Sequence, residues 1–236
     1  MPLVEHLEEL RHRIIFSIIA WVLASSAAYY FTPRLIGIFT GMVKTKLVFI
    51  NPMEAFLAYL KIALLLGLFI ALPFILYQAL AFIVPGLEKH EKKWVLCLVP
   101  VAVLLFFSGA LFACYILIPI TLRFFLSFAT NDLVPMITIG GLMSFVLTFI
   151  ILCGLIFQTP LVILFLALIG LVNSTMLREK RKYMIIVFFI VAAVATPTPD
   201  AFTQIIVTIP MLVLYEISIL LIRVIEGKRK REKLPG

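Results

Sequence analysis

An all-α membrane protein with six transmembrane helices is the fold class that the sequence predicts, from three observations. The first is composition: hydrophobic residues make up 64% of the chain and the mean hydropathy is +1.18. A soluble domain has an apolar share of ~45–50%, so no soluble core of this length hides that much apolar surface, and lipid must be the solvent. The second is the grouping of the apolar residues into six stretches, separated by short loops. The third is the placing of positive charge. Fifteen of the twenty Lys and Arg lie before Ile14, at 84–93, at 171–182 and after Ile222. The intervening loops carry only Arg34, Lys44, Lys46 and Arg123, and Lys61 lies inside an apolar stretch. Lys and Arg are retained on the cytoplasmic side during insertion, so both termini are expected there.

An amphipathic N-terminal helix is expected over 2–13. Leu3, Val4, Leu7, Leu10 and Ile14 form its apolar stripe, and Glu5, Glu8, Glu9 and His12 the other side. Its acids stand at i,i+4 spacing for pairs of Glu8 with His12 and Glu9 with Arg13. Span one follows over about 14–31, with Ala20, Ala24 and Ala28 as a small-residue stripe for close helix contact. Thr32-Pro33 can start a short helix in the next loop. Asn51-Pro52-Met53-Glu54 then reads as an N-cap, an N1 proline and an acidic N3 residue. They open span two, about 54–82.

Spans three and four are expected over about 94–118 and 142–169. Spans two to four each hold one interior proline, Pro73, Pro100 and Pro160. A proline removes a backbone donor and bends the helix, so three in sequence predict a concave wall. The fifth stretch, 183–196, has fourteen residues before Pro197 and Pro199. At about 21 Å it falls short of a hydrocarbon core of ~30 Å. The sixth, 201–222, carries Pro210, with Asp200 placed to cap it. The pair reads as a short hairpin that thins the bilayer locally, or as a re-entrant hairpin, and the first is preferred. The remainder, 223–236, reads as a basic cytoplasmic tail, disordered from Glu226 to Gly236. With no internal repeat, residues 1–236 are expected to form a single integral-membrane domain.

These features exclude several function classes. The net charge of +8 is explained by topology and attraction to anionic headgroups, so nucleic acid is not an expected partner. Cys97, Cys114 and Cys153 lie in apolar stretches without CxxC spacing and read as small packing residues. There is no phosphate-binding loop, HExxH, nucleophile elbow or intramembrane carboxylate pair at helical spacing. No catalytic residue, metal or cofactor is therefore expected. Glu5, Glu8 and Glu9 spoil the basic region of a cleaved signal, so the N-terminal segment is expected to stay.

Three acids at the N-terminus and two more, Glu88 and Glu91, stand on a side where topology otherwise favours positive charge. The segment His6-Leu7-Glu8-Glu9-Leu10-Arg11-His12-Arg13 strongly resembles the N-terminal signature of TatC, the multispanning subunit of the twin-arginine protein translocase. The resemblance continues through 51–56, 82–91, 157–160, 181–183, 196–200 with Gln204, Ile209-Pro210 and 215–217. It implies a receptor for signal peptides with two consecutive arginines, borne by folded cargo and exported on the proton-motive force. It implies a bacterial cytoplasmic membrane location, self-association, and TatA-like and TatB-like single-span partners. The positions matching signal recognition are Glu9, Phe82 and Glu91, with Glu8, Arg11 and Glu88 in support. The chemistry agrees, because a guanidinium pairs bidentately with a carboxylate in a way that lysine's point charge cannot.

Other polar residues carry two readings each. Gln158 stands where the resemblance implies an intramembrane glutamate facing a polar pocket, which is the preferred reading; the other is that it satisfies the carbonyl freed by Pro160. Glu216 can carry a proton or bind a partner, or reach toward Arg223. Lys61 can simply extend outward. Thr196 and Gln204 match a partner-docking cluster, or cap the ends of a short loop. The alternative function is a small-molecule secondary transporter, which requires related halves and an ionisable midplane residue.

Overall fold

The computed structural model describes residues 3–41, 47–83, 92–130, 134–196, 198 and 200–232. Among them the chain is helical apart from its connecting loops and one isolated parallel bridge between Val48 and Thr138. The chain divides into two compact units, the first comprising 1–104 with 114–149 and the second 105–113 with 150–236.

The first unit opens on α1, Leu3–Ala28. The amphipathic segment 2–13 and span one are expected as separate elements, yet α1 runs through both without a break. Neither Gly nor Pro interrupts residues 3–28, and the Arg13 guanidinium bonds Glu9 one turn back. A single 3₁₀ turn, Tyr29–Phe31, leads into α2, Thr32–Gly41, which begins at the predicted Thr32-Pro33. Helix α3, Pro52–Ile83, packs along α1. On α3, Ala63, Gly67 and Ala71 form a buried small-residue stripe at four-residue spacing, and Gly67 lies directly against Ser25 of α1. The indole Nε1–H of Trp21 donates to the Leu64 carbonyl at 2.8 Å.

The start of α3 is capped as the sequence predicts. The Met53 N–H donates to Asn51 Oδ1 at 3.0 Å, and Glu54 Oε2 accepts from the Ile50 N–H at 3.1 Å. Helix α4, Lys92–Phe112, a π-helical turn at Ala113–Leu117 and α5, Ile118–Leu126, extend span three eight residues past its expected end at 118. Helix α6, Ile139–Ile156, starts beside Glu54, whose Oε1 accepts from the Gly140 N–H at 3.0 Å. The loops preceding α3 and α6 are joined further by Val48, which donates to Ile137 O at 3.1 Å and accepts from the Ile139 N–H at 3.0 Å. One carboxylate thus ties two helix starts that are 86 residues apart. Glu54→Ala is expected to lower the melting temperature by several degrees and to speed amide exchange at Ile50 and Gly140 together; exchange unchanged at Gly140 would count against this tie.

In the second unit, the turn at Phe157-Gln158 separates α6 from α7, Thr159–Leu168. Gly154 lies against the Phe106 ring, and a Cβ at Gly109 would overlap the Cys153 carbonyl. Helix α8, Ser174–Glu179, is capped by Asn173, whose Oδ1 accepts from the Met176 N–H at 2.7 Å. Helix α9, Arg181–Ala195, has 15 residues, about 22 Å, and lies against α10, Ala201–Glu232. Asp200 caps α10 as predicted, its Oδ1 accepting from the Thr203 N–H at 2.7 Å.

The segment expected to be disordered from Glu226 on departs from that expectation, because α10 continues helically to Glu232. Its extension is held by Glu226, which accepts the Ser174 N–H at 3.0 Å and the Ser174 hydroxyl at its other oxygen. Five helical segments among the described residues are long and apolar enough to cross a membrane, and α9 falls short by length alone.

Candidate functional site

The polar groups of the first unit gather where the start of α1 meets the end of α3. Glu9 and Arg13 lie one turn apart on α1, and Glu9 Oε1 accepts from Arg13 Nε at 3.0 Å and Nη2 at 2.6 Å. Arg13 also donates from Nη1 to Gln78 Oε1 of α3 at 2.9 Å, so the guanidinium bridges the two helices. His6, one turn before Glu9, stacks on Phe82 at the end of α3, with ring centroids 4.2 Å apart and planes within 11°. Its Nδ1 lies 3.8 Å from Glu9 Oε2. The side chains of Glu9 and Arg13 are 23% and 25% exposed, so the pair is partly shielded from water rather than lying on an open surface. Glu9 Oε2 is buried and has no hydrogen-bond partner among the described residues.

Two of the three predicted recognition residues, Glu9 and Phe82, thus meet at one locus through His6. Glu8 and Arg11 lie on the exposed face of α1. The predicted Glu8–His12 pair does not form: His12 Nδ1–H donates to the Glu8 backbone carbonyl at 3.1 Å instead. Glu88 and Glu91 lie outside the described residues. Sequence reading assigned no site role to His6, Arg13 or Gln78. Helical spacing alone exposes the Arg13–Glu9 pair, whereas Gln78 and Phe82 reach the site from partners 65 and 76 positions away.

The second unit holds the other polar candidates. Glu216 of α10 accepts from Arg181 Nη2 at 2.5 Å, so its partner is the first residue of α9 rather than Arg223. Beside it, the buried Tyr215 hydroxyl donates to the Leu177 carbonyl at 2.7 Å. Toward the opposite end of α9, Gln204 Nε2 donates to the Phe189 carbonyl at 2.7 Å. Gln204 therefore fastens α10 to α9 rather than capping a loop, while the Thr196 hydroxyl donates to Thr198 O at 3.2 Å within the turn.

Gln158 lies in the turn before α7, where its backbone carbonyl accepts from the N–H groups of Leu161 and Val162 at 3.0 Å. The carbonyl freed by Pro160 belongs to Ile156, and it is satisfied by the Thr159 hydroxyl at 2.6 Å. That structural duty, the second of the two readings of Gln158, falls to its neighbour. Lys61, exposed on α3, donates to Ser144 Oγ of α6 at 2.7 Å.

These helices and polar ties define a multispanning membrane protein whose shielded carboxylate and guanidinium sit at the start of the first helix. The family described as TatC, Sec-independent protein translocase protein, matches residues 5–210. TatC of Carboxydothermus hydrogenoformans is 43% identical over 231 residues, covering 97% of this chain and 95% of its own. TatC of Aquifex aeolicus is 38% identical, with 98% of each chain covered. A crystal structure of the twin-arginine translocase receptor TatC in DDM superposes with a TM-score of 0.81 at 38% identity, over 92% of this chain and 99% of that one. The chain belongs to the TatC family of Sec-independent protein translocase proteins. It is a membrane-embedded component of protein transport, and its family is one of translocase proteins rather than enzymes; this replaces the small-molecule transporter alternative.

Proposed function

We propose that this chain is the core receptor of a twin-arginine translocase and that the Glu9 locus takes an arginine of the signal peptide. The observation that carries the reading is the meeting of the shielded Glu9 carboxylate with His6 and Phe82 at one helix junction. A partly shielded carboxylate strengthens charge-assisted hydrogen bonds to about 1.5–3 kcal/mol each. The flat ring of Phe82, already stacked on one planar group, suits a second, because guanidinium planes also stack on aromatic faces. Glu91 is the proposed second anchor, supplied by the following loop, with Glu8, Arg11 and Glu88 in supporting positions.

In this reading both termini are cytoplasmic, consistent with the positive charge before Ile14 and after Ile222, and the location is the bacterial cytoplasmic membrane. The apolar part of the signal lies near Gln158. TatA-like and TatB-like single-span partners dock at α9 and α10 near Thr196 and Gln204, and copies of the chain associate in the active complex. Transport draws on the proton-motive force. The short α9 favours local thinning of the bilayer over a re-entrant course.

Binding of a labelled Arg-Arg signal peptide and its Lys-Lys twin to the purified protein tests the receptor role. Glu9→Ala and Glu91→Ala are each expected to weaken Arg-Arg binding by about tenfold or more, the loss of one charge-assisted bond. The Lys-Lys twin should bind more weakly than Arg-Arg to the unaltered protein. Equal binding of both peptides, indifferent to either substitution, rules the reading out.

A further inference from the structure

In this structure the carboxylate proposed to receive a signal arginine is already held by an arginine of the chain itself. Glu9 Oε1 accepts both Nε and Nη2 of Arg13, which uses the two lone-pair positions of that oxygen. Glu9 Oε2 is shut from solvent, with the His6 ring 3.8 Å away. The remaining arm of Arg13 is fixed to Gln78 of α3. An arriving guanidinium therefore finds no open oxygen on Glu9.

We infer that Arg13 is a resident competitor, so that a signal peptide binds Glu9 by exchange, displacing one guanidinium with another. The inference rests on the reading of Glu9 as an anchor. Exchange offsets about fivefold of what a signal guanidinium gains at Glu9, and the remainder adds to the second arginine and the apolar part of the signal in setting net affinity. Competition also lowers the apparent affinity of every ligand by one common factor, the inverse of the unoccupied fraction. The ratio of Arg-Arg to Lys-Lys affinity is then unchanged by Arg13, while the absolute affinity of both is reduced. Arg13 acts as a threshold: ligands with one weak contact fall below useful occupancy, and paired arginines stay above it.

A positioning role predicts the reverse, because removing a group that orients Glu9 weakens binding. The two are separated by measuring both labelled peptides against the full chain in nanodiscs, in Arg13→Gln, Gln78→Ala and Glu9→Gln variants. Arg13→Gln is expected to tighten both peptides by the same factor, about fivefold for a half-shielded ion pair of ~1 kcal/mol. Gln78→Ala loosens the resident without removing it and is expected to give a smaller gain, about twofold, in both. Unchanged or weaker Arg-Arg binding in Arg13→Gln overturns the exchange. If that variant does not accumulate, absence of any gain in Gln78→Ala overturns it instead. Arg-Arg binding that survives Glu9→Gln undiminished removes the anchor itself, a failure of the underlying reading and distinct from a failure of the competition.

Discussion

Gly67→Ala is expected to cost about 3 kcal/mol, the upper end of what overpacking a close contact does, read as a fall in melting temperature in detergent. A Cβ built on Gly67 would overlap Ser25 Oγ and stand 2.5 Å from both Ser25 Cα and Ser25 N. Most overpacked sites relax by moving the end of a side chain. Here two of the three nearest atoms are backbone of α1, so relief requires shifting a whole helix. That shift strains two neighbouring ties: the Trp21 Nε1–H to Leu64 carbonyl bond and the burial of Ala28 at 1% exposure. Without a hydrophobic drive between helices in lipid, close approach through small residues supplies much of the association energy. A second-site test sharpens the point. Ser25→Gly deletes the hydroxyl and leaves the backbone in place, so it should restore only a small part of the loss. Full rescue by Ser25→Gly would mean that the hydroxyl alone was the obstacle.

That crossing also marks what could be read from the chain and what could not. Of the alanine stripe at 20, 24 and 28 only Ala28 is buried, and the close approach falls beside it at Ser25. The deciding residues, Ser25 and Gly67, are 42 positions apart, and nothing local pairs them. The same division runs through the fold. Caps written in consecutive residues, Asn51 with Glu54 and Asp200 with Thr203, were legible because their chemistry is local. Helix ends set by distant partners were not. The continuation of α10 to Glu232 depends on Ser174, 52 positions away, and charge density alone suggested a tail.

The site follows the same logic. The Glu9–Arg13 pair at i,i+4 was legible, but it read as ordinary helix support. What gives it meaning is Gln78 holding the free arm of Arg13 and Phe82 stacking on His6, both from α3. Gln158 teaches the complementary lesson. Counting four residues back from Pro160 correctly locates the freed carbonyl at Ile156, but the adjacent Thr159 hydroxyl reaches it by a shorter path. A Ser or Thr hydroxyl three residues on can bond back to such a carbonyl, and Thr159 does so here.

Breaking the Arg181–Glu216 pair is expected to destabilise the protein by about 1 kcal/mol, the upper end for an ion pair whose side chains are nearly half exposed. Arg181→Ala leaves the Glu216 carboxylate, fifteen residues into an apolar helix, without its counter-charge. Glu216→Gln removes the charge and keeps an acceptor for the guanidinium, so it should cost much less. This asymmetry separates a structural pair from a proton carrier, since loss of a carrier would abolish transport in Glu216→Gln while leaving stability nearly intact. Reversing the pair decides further. Arg181→Glu puts an acid at the first residue of α9, where the helix dipole favours negative charge. Glu216→Arg puts the cation on α10 next to it. Each single change should be destabilising, because it sets like charges 2.5 Å apart before relaxation. The double variant should recover most of the loss, giving a coupling energy of about 1 kcal/mol or more in a double-mutant cycle. Additive losses, with no recovery in the double variant, would show that the two residues act separately, leaving the Gln204 bond to the Phe189 carbonyl and the Phe188–Tyr215 ring contact as the specific ties between α9 and α10.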